Sequence, residues 1–234
     1  MTVTSSNRDA IAHGKITFEP LRERPKFPSW ALKLIMAVTG VIFGLFVIVH
    51  MLGNLKVFAG AGDFNAYAAF LRSVGAPAVP EEGVLWHVYG AFALHGRARQ
   101  SRGKFRRQGM VSSWNTFTAR TMIITGIVLL AFIIFHILDL TIGAAVAPEN
   151  FVHGEAYANL VASFSRPLVA IWYIIAQLAL LLHLSHGLWT ATSDLGITGA
   201  RWRKVLLFLS GLIPLLVVVG NIAIPVAVLT GVLS

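Results

Sequence analysis

The chain has no cysteine and few charged residues. Without cysteine it can form neither disulfides nor thiolate-ligated iron–sulfur clusters, and it cannot hold a c-type haem covalently. Charged residues make up 12% of its 234 residues, against ~25% in globular domains, while hydrophobic residues reach 56%. Most soluble classes of protein are therefore excluded, and any metal must be held by His, Met, Asp or Glu.

The net charge of +9 comes from basic clusters beside apolar runs, with no basic face interleaved with aromatics. Such clusters indicate cytoplasmic loops next to membrane spans rather than a nucleic-acid surface. Residues 1–29 are polar and contain three prolines, and they lack the early apolar stretch of a signal peptide. We therefore expect a cytoplasmic N-terminal tail at 1–29 and a transmembrane helical domain at 30–234.

The fold class predicted from the apolar runs is all-α, an integral membrane bundle of five transmembrane helices. A span needs ~20 apolar residues. The bias of Lys and Arg places the N-terminus in the cytoplasm and the C-terminus outside. We expect a mixed loop at about 54–82, and loops between the other spans. The predicted spans run over about 30–53, 83–94, 119–142, 167–190 and 205–232.

The second of these segments is too short. It has about a dozen apolar residues where a crossing takes ~20. At ~1.5 Å per residue, Glu81 and Glu82 would lie near the middle of the bilayer, where two unpaired carboxylates are costly. Either the segment is re-entrant or the sequence lacks a stretch of helix just before His87, and we favour the second explanation.

Four of the eight histidines lie within apolar segments, one on each of the first four spans. A single buried histidine is explained equally well by a hydrogen bond to a neighbouring helix, but four favour a function because intramembrane ionisable residues are rare. Counted from the cytoplasmic side, His50 and His136 lie ~24–30 Å deep, whereas His87 and His183 lie ~15 Å deep. His186 shares nearly the same helix face as His183 and is the alternative to it.

These depths define two levels, each with histidines from two helices. Two neutral imidazoles that approach an iron from opposite faces, within an apolar surround, are the ligands of a low-spin b haem. We therefore predict two b haems, an outer one between His50 and His136 and an inner one between His87 and either His183 or His186.

The stretches around these histidines resemble the two-haem cytochrome b membrane anchor of succinate:quinone oxidoreductases, in the class where one five-helix polypeptide carries both haems. Together they cover most of the chain from about 30 to 200, in the order of that family. The matching stretches are Gly44 to His50, His87-Val-Tyr-Gly-Ala-Phe, Arg120 through Thr125-Gly126 to His136, His183-Leu-Ser-His-Gly-Leu-Trp189 and Gly196-Ile-Thr198.

The resemblance implies that His50 and His136 ligate the outer haem and that His87 and His183 ligate the inner one, which decides against His186. It also implies a multi-pass protein of the bacterial plasma membrane. A flavoprotein and an iron–sulfur subunit would dock on its cytoplasmic side, on the tail, the basic loop at 97–107 and the loop around Asp194. A membrane quinone, most often menaquinone, would accept the electrons.

The quinone site is the least defined prediction. Two haems favour the outer end, because an inner site would leave the outer haem without an acceptor, and there the candidates are Asp139, Lys56 and Arg72. Asp139 lies about one turn beyond His136 and is the first to test. Each candidate can also be read as an ordinary interface residue. Candidates at the inner end are Ser113, Trp114, Arg120 and Asp194.

Three other functions remain as alternatives. The chain could be the cytochrome b subunit of another quinone-linked complex, such as a hydrogenase or a formate dehydrogenase, although the order of the motifs argues against it. A transporter with histidine proton relays would need acidic partners for the histidines, and only Asp139 qualifies. A structural anchor would bind no haem.

Overall fold

The computed structural model describes residues 29–73, 113–197 and 199–234, and every regular element in these ranges is helical. The all-α prediction is confirmed there. The tail and the second predicted span, with His87, lie outside the described residues. In chain order the elements are α1 (Ser29–Asn54), a 3₁₀ turn (Leu55–Ala59), α2 (Ala61–Ser73), α3 (Ser113–Ile137), a π turn (Leu138–Ile142), α4 (Ala156–Phe164), α5 (Pro167–Asp194) and α6 (Ala200–Leu229).

Within the described ranges, four segments are long and apolar enough to cross a membrane: Lys33–Ala59, Arg120–Ile142, Pro167–Asp194 and Ala200–Leu229. They coincide with four of the five predicted spans. Much of their apolar surface faces outward, and Leu168 is 82% exposed. Such surface suits contact with lipid, where helices satisfy their own backbone hydrogen bonds. The second predicted span, at 83–94, stays a prediction.

Helix α5 is the centre of the bundle and packs against α1, α3 and α6. Its buried alanines, among them Ala170 and Ala176, let neighbouring helices approach closely. Gln177 of α5 accepts a hydrogen bond of 3.1 Å from Asn221 of α6, a polar link of the kind that joins helices within apolar surroundings. Helix α6 continues through Pro214 and Pro225, as expected for a span.

The expectation of a loop over about 54–82 is wrong for Leu55–Ala59 and Ala61–Ser73, which are helical. The loop expected before Pro167 likewise contains α4. Both helices are short, so neither shows the long apolar run that marks a span. Asp63 lies in the first turn of α2, where a negative charge favours a helix start.

Helices α2 and α4 join each other across the end of the bundle where His50 and His136 lie, and we call this pair of helices the outer cap. The side chain of Asn65 holds them together: its Oδ1 accepts from the Tyr157 backbone N–H at 2.8 Å, and its Nδ2 donates to Glu155 at 3.1 Å. The apolar side chains beneath the cap form the main core, and include Val57, Phe64, Leu160, Phe164, Tyr173 and Ile224.

Candidate functional site

The imidazoles of His50 and His136 meet near the end of the bundle that the outer cap covers. Their ring centres are 5.9 Å apart and their planes are almost perpendicular, at 81°. Each ring stacks on an aromatic side chain one turn earlier in its own helix, Phe46 at 5.4 Å for His50 and Phe132 at 5.7 Å for His136. The structure thus brings together the two residues predicted to form the outer pair.

This spacing suits two imidazoles on one iron. Because metal–imidazole bonds run at ~2 Å and a five-membered ring adds about 1 Å to its centre, two such ligands on opposite faces have ring centres roughly 6 Å apart. Among the described residues there is no group of three or more His, Cys, Asp or Glu that could hold a bare metal ion. A pair of neutral imidazoles among aromatic rings fits haem b, which needs only axial ligands from the protein.

A hydrogen-bond chain determines which nitrogen of His136 is free. The Tyr173 hydroxyl donates to Asp139 Oδ2 at 3.0 Å and lies 3.3 Å from His136 Nδ1. Since its proton is used on the carboxylate, the Tyr173 oxygen accepts from the His136 Nδ1–H. The lone pair of this imidazole is therefore on Nε2, as a metal ligand requires.

Asp139 is completely buried and lies in the π turn that ends α3. Its Oδ1 accepts from Arg166 Nη2 at 2.7 Å, and its Oδ2 also accepts from the Ser163 hydroxyl. Arg166, whose side chain is 35% exposed, additionally donates to the Val146 carbonyl at 2.7 Å. The buried carboxylate is thus paired, and each of its oxygens accepts at least one hydrogen bond, as burial of a charge demands.

His50 has a tyrosine partner of its own. The hydroxyl of Tyr67, from the outer cap, is 3.3 Å from the His50 carbonyl oxygen and 3.4 Å from His50 Nδ1. Donation to the carbonyl leaves the oxygen to accept from Nδ1–H, so Nε2 again carries the lone pair. Burial raises the pKa of Tyr67 above its ordinary value, which keeps this hydroxyl protonated.

Gly53 creates the space that Tyr67 occupies. A Cβ at this position would lie 1.9 Å from Tyr67 Cζ, far inside contact distance. Gly53 follows His50 by about one turn of α1, so any side chain there would push the tyrosine away from the imidazole.

A second histidine level lies further along α5. His183 Nδ1 is 3.1 Å from Thr125 Oγ1 of α3, and this hydroxyl donates to the Thr121 carbonyl at 3.0 Å. It therefore accepts from the His183 Nδ1–H. His186 has a similar neighbour, Thr118 Oγ1 at 3.3 Å. Both threonines are buried.

The two levels are well separated. Tyr173, at the level of His136, precedes His183 by ten residues of α5, which corresponds to ~15 Å along the helix. His87, the expected partner of His183, lies outside the described residues. Haem ligation by these four histidines stays a prediction.

The three quinone candidates do not form one cluster. Lys56 is exposed on the 3₁₀ turn and Arg72 is partly exposed near the end of α2. In the described part of the chain neither forms an ion pair or a hydrogen bond with Asp139, which is bound to Arg166, Ser163 and Tyr173.

Sequence reasoning missed the hydroxyl partners of the histidines, Tyr67, Tyr173 and Thr125, because nothing in their spacing connects them with a histidine on another helix. It also did not connect Arg166 with Asp139, although an arginine directly before an apolar span was a usable signal. Trp172 was missed too: its indole N–H is buried and has no acceptor among the described residues.

These features define a chain whose described elements are all helical and include several membrane-length helices, in which histidines lie within apolar segments with their Nδ1 atoms beside hydroxyl groups. Over 169 residues the chain is 29% identical to the succinate dehydrogenase cytochrome b558 subunit of Bacillus subtilis (strain 168), a match that covers 69% of this chain and 78% of that protein. No family model matches the chain. The similarity supports a membrane cytochrome b anchor.

Proposed function

We propose that this chain is the haem b-containing membrane anchor of a succinate dehydrogenase, which passes electrons from a partner iron–sulfur subunit to a membrane quinone, menaquinone by preference. The observation that carries the proposal is the His50–His136 pair, with ring centres 5.9 Å apart between two membrane-length helices. The similarity to a cytochrome b558 subunit supports the same class.

Each residue of the site has a definite task in this proposal. His50 and His136 hold the outer haem, and His183, with His87, holds the inner one. Tyr67, Tyr173 and Thr125 accept from the Nδ1–H groups and so direct each Nε2 lone pair toward the iron. When bound, haem b supplies one-electron transfer.

Two levels suit electron movement across the membrane. One charge moved through the membrane potential corresponds to ~2.3 kcal/mol per 100 mV, enough to influence a reduction that is close to balanced. The flavoprotein and iron–sulfur subunits would dock on the cytoplasmic side, with the N-terminus on that side and the C-terminus outside.

The quinone would be reduced at the outer end. Lys56 and Arg72 bring positive charge to the turn and cap helix that follow His50 in the chain. The buried N–H of Trp172, which has no acceptor in the described ranges, is a further donor for a quinone carbonyl. Asp139 was the first candidate by sequence, but its carboxylate already accepts from three protein donors.

Purification of the subunit and measurement of its haem-to-polypeptide ratio test the proposal. We expect two haems per chain and the reduced spectrum of a six-coordinate b haem. A matched control, His153→Ala in the exposed outer loop, should keep both. A folded wild-type chain that binds no haem would contradict the proposal and favour a structural anchor or a transporter.

A further inference from the structure

We infer that Tyr173 and Asp139 are positioning residues for His136: they make it the more strongly electron-donating ligand of the outer pair and so lower the reduction potential of the outer haem. The inference rests on the proposed function, since it requires haem at His136. It follows from two consecutive hydrogen bonds, in which Asp139 accepts from Tyr173 and Tyr173 accepts from His136.

The two outer histidines have tyrosine partners whose hydroxyls donate to different acceptors. Tyr173 donates to a carboxylate at 3.0 Å, whereas Tyr67 donates to a backbone carbonyl at 3.3 Å. Hydrogen bonds to an ionised acceptor are roughly twice as strong as neutral ones. Donation to the carboxylate also enriches the Tyr173 oxygen in electron density, which makes it a better acceptor for His136. The His136 imidazole is consequently the more basic ligand.

Asp139 and Tyr173 are also held in place by their neighbours, as residues that orient a ligand must be. Arg166 and Ser163 fix the carboxylate from the other side. The Tyr173 ring is packed between Phe164, at 4.7 Å, and Phe132, at 5.0 Å. Asp139 itself lies in a π turn, a local form that is frequent at functional sites.

A purely structural explanation exists for part of this arrangement. The Arg166–Asp139 pair ties the chain just before α5 to the end of α3, and it would do so without any haem. That explanation does not account for the contact between Tyr173 and His136. The variant Tyr173→Phe distinguishes the structural explanation from the positioning role, because it removes the hydroxyl while Asp139 keeps Arg166 and Ser163.

The test is a redox titration of the haems in the purified complex, followed by absorbance, with the outer haem identified as the one that His50→Ala loses. A basic ligand stabilises oxidised iron, so Tyr173→Phe should raise the outer potential. We expect a change on the order of tenfold in the oxidised-to-reduced ratio, which is ~59 mV for one electron. Asp139→Asn should shift it in the same direction by less. Tyr157→Phe, a change of the same kind at an exposed hydroxyl in the outer cap, should shift nothing.

The outcomes are distinguishable. An unchanged outer potential in Tyr173→Phe, with both haems bound, overturns the inference and leaves the proposed function intact. A wild-type chain without haem overturns the proposed function itself. If the Asp139→Asn variant does not assemble into the complex, the outer potential of Tyr173→Phe still tests the inference. If Asp139→Asn slows quinone reduction at an unchanged potential, Asp139 belongs to the quinone site and its positioning role is wrong.

Discussion

The outer and inner histidine levels are built in different ways. At the outer level, His50 and His136 contact tyrosine hydroxyls, one supplied by the outer cap and one backed by a buried carboxylate. At the inner level, His183 contacts Thr125, whose hydroxyl donates to the backbone of its own helix. Among the described residues, the contact of His183 with Thr125 joins α3 to α5, whereas the outer contacts also involve the outer cap and the segment around Arg166.

This difference indicates which substitutions should alter the surroundings of the histidines. The contacts of the two tyrosines depend on the Arg166–Asp139 ion pair, on the outer cap and on Gly53. A change in any of these should therefore alter the hydrogen bond to a histidine. In the ranges that the structure describes, the Thr125 hydroxyl contacts His183 and backbone carbonyls of its own helix. We therefore expect larger and more varied effects from substitutions at the outer level.

The largest expected effect is the loss of one haem. His136→Ala should remove the outer haem and leave the inner one largely in place, because His183 lies ~15 Å along α5 from Tyr173, the partner of His136. Haem content and the reduced absorption spectrum of the purified chain measure this. Equal loss of both haems in a protein that still folds would contradict the separation of the two levels.

A substitution at Gly53 should weaken the outer level through packing. In Gly53→Ala the new Cβ would overlap the Tyr67 ring, at 1.9 Å from Cζ, and we expect a cost of about 1–3 kcal/mol. Thermal unfolding measures the loss of stability, and the spectrum of the outer haem shows whether its surroundings have changed. Gly44→Ala in the same helix is the matched control, because the nearest described atoms to its Cβ would be those of Leu188 and Leu184, at ordinary contact distances of 3.5 and 3.6 Å. Equal effects of the two variants would disprove the account of Gly53.

A smaller effect is expected at the inner level. Thr125→Val keeps the shape of the side chain but removes the acceptor for His183 Nδ1. The inner potential should rise, by less than the outer potential rises in Tyr173→Phe, because a neutral hydroxyl is a weaker partner than one backed by a carboxylate. Thr121→Val alters a hydroxyl that donates to the Phe117 and Thr118 carbonyls, and it should change nothing. A larger change of the inner potential in Thr125→Val than of the outer potential in Tyr173→Phe would contradict this comparison of the two levels.

The smallest effect concerns pH. The folded-state pKa of Tyr67 is raised by burial, so its contribution to stability is fully present below its ordinary pKa of about 10 and is lost as the pH rises through the raised value. The outer haem spectrum should therefore be constant through the neutral range and change only at alkaline pH. In Tyr67→Phe that alkaline change should be absent, and a change near neutral pH in the wild type would count against this account.

The long helices were predictable from the sequence and the cap was not. An apolar run of span length identifies α1, α3, α5 and α6 by itself, because in lipid the backbone must close its own hydrogen bonds. Helices α2 and α4 are too short for that signal. They are fixed by tertiary contacts such as those of Asn65 with Glu155 and Tyr157, which no local pattern reveals.

The same limit applies to the site. Depth counting predicted that His50 and His136 share a level, since rise per residue is fixed. Their partners could not be predicted, because Tyr67 and Tyr173 reach the imidazoles from elements whose packing the sequence does not show. Asp139 was the first quinone candidate by sequence, and that assignment stays a prediction; its contacts with Tyr173 and Arg166 could not be foreseen.

The measurement that tests the central claim most directly is haem content in two double variants. If His50 and His136 ligate one haem together, His50→Ala combined with His136→Ala should retain as much haem as either single variant. His50→Ala combined with His183→Ala should retain none, because each change removes a ligand of a different haem. A first double variant that loses both haems, or a second that keeps one, would contradict the pairing of His50 with His136.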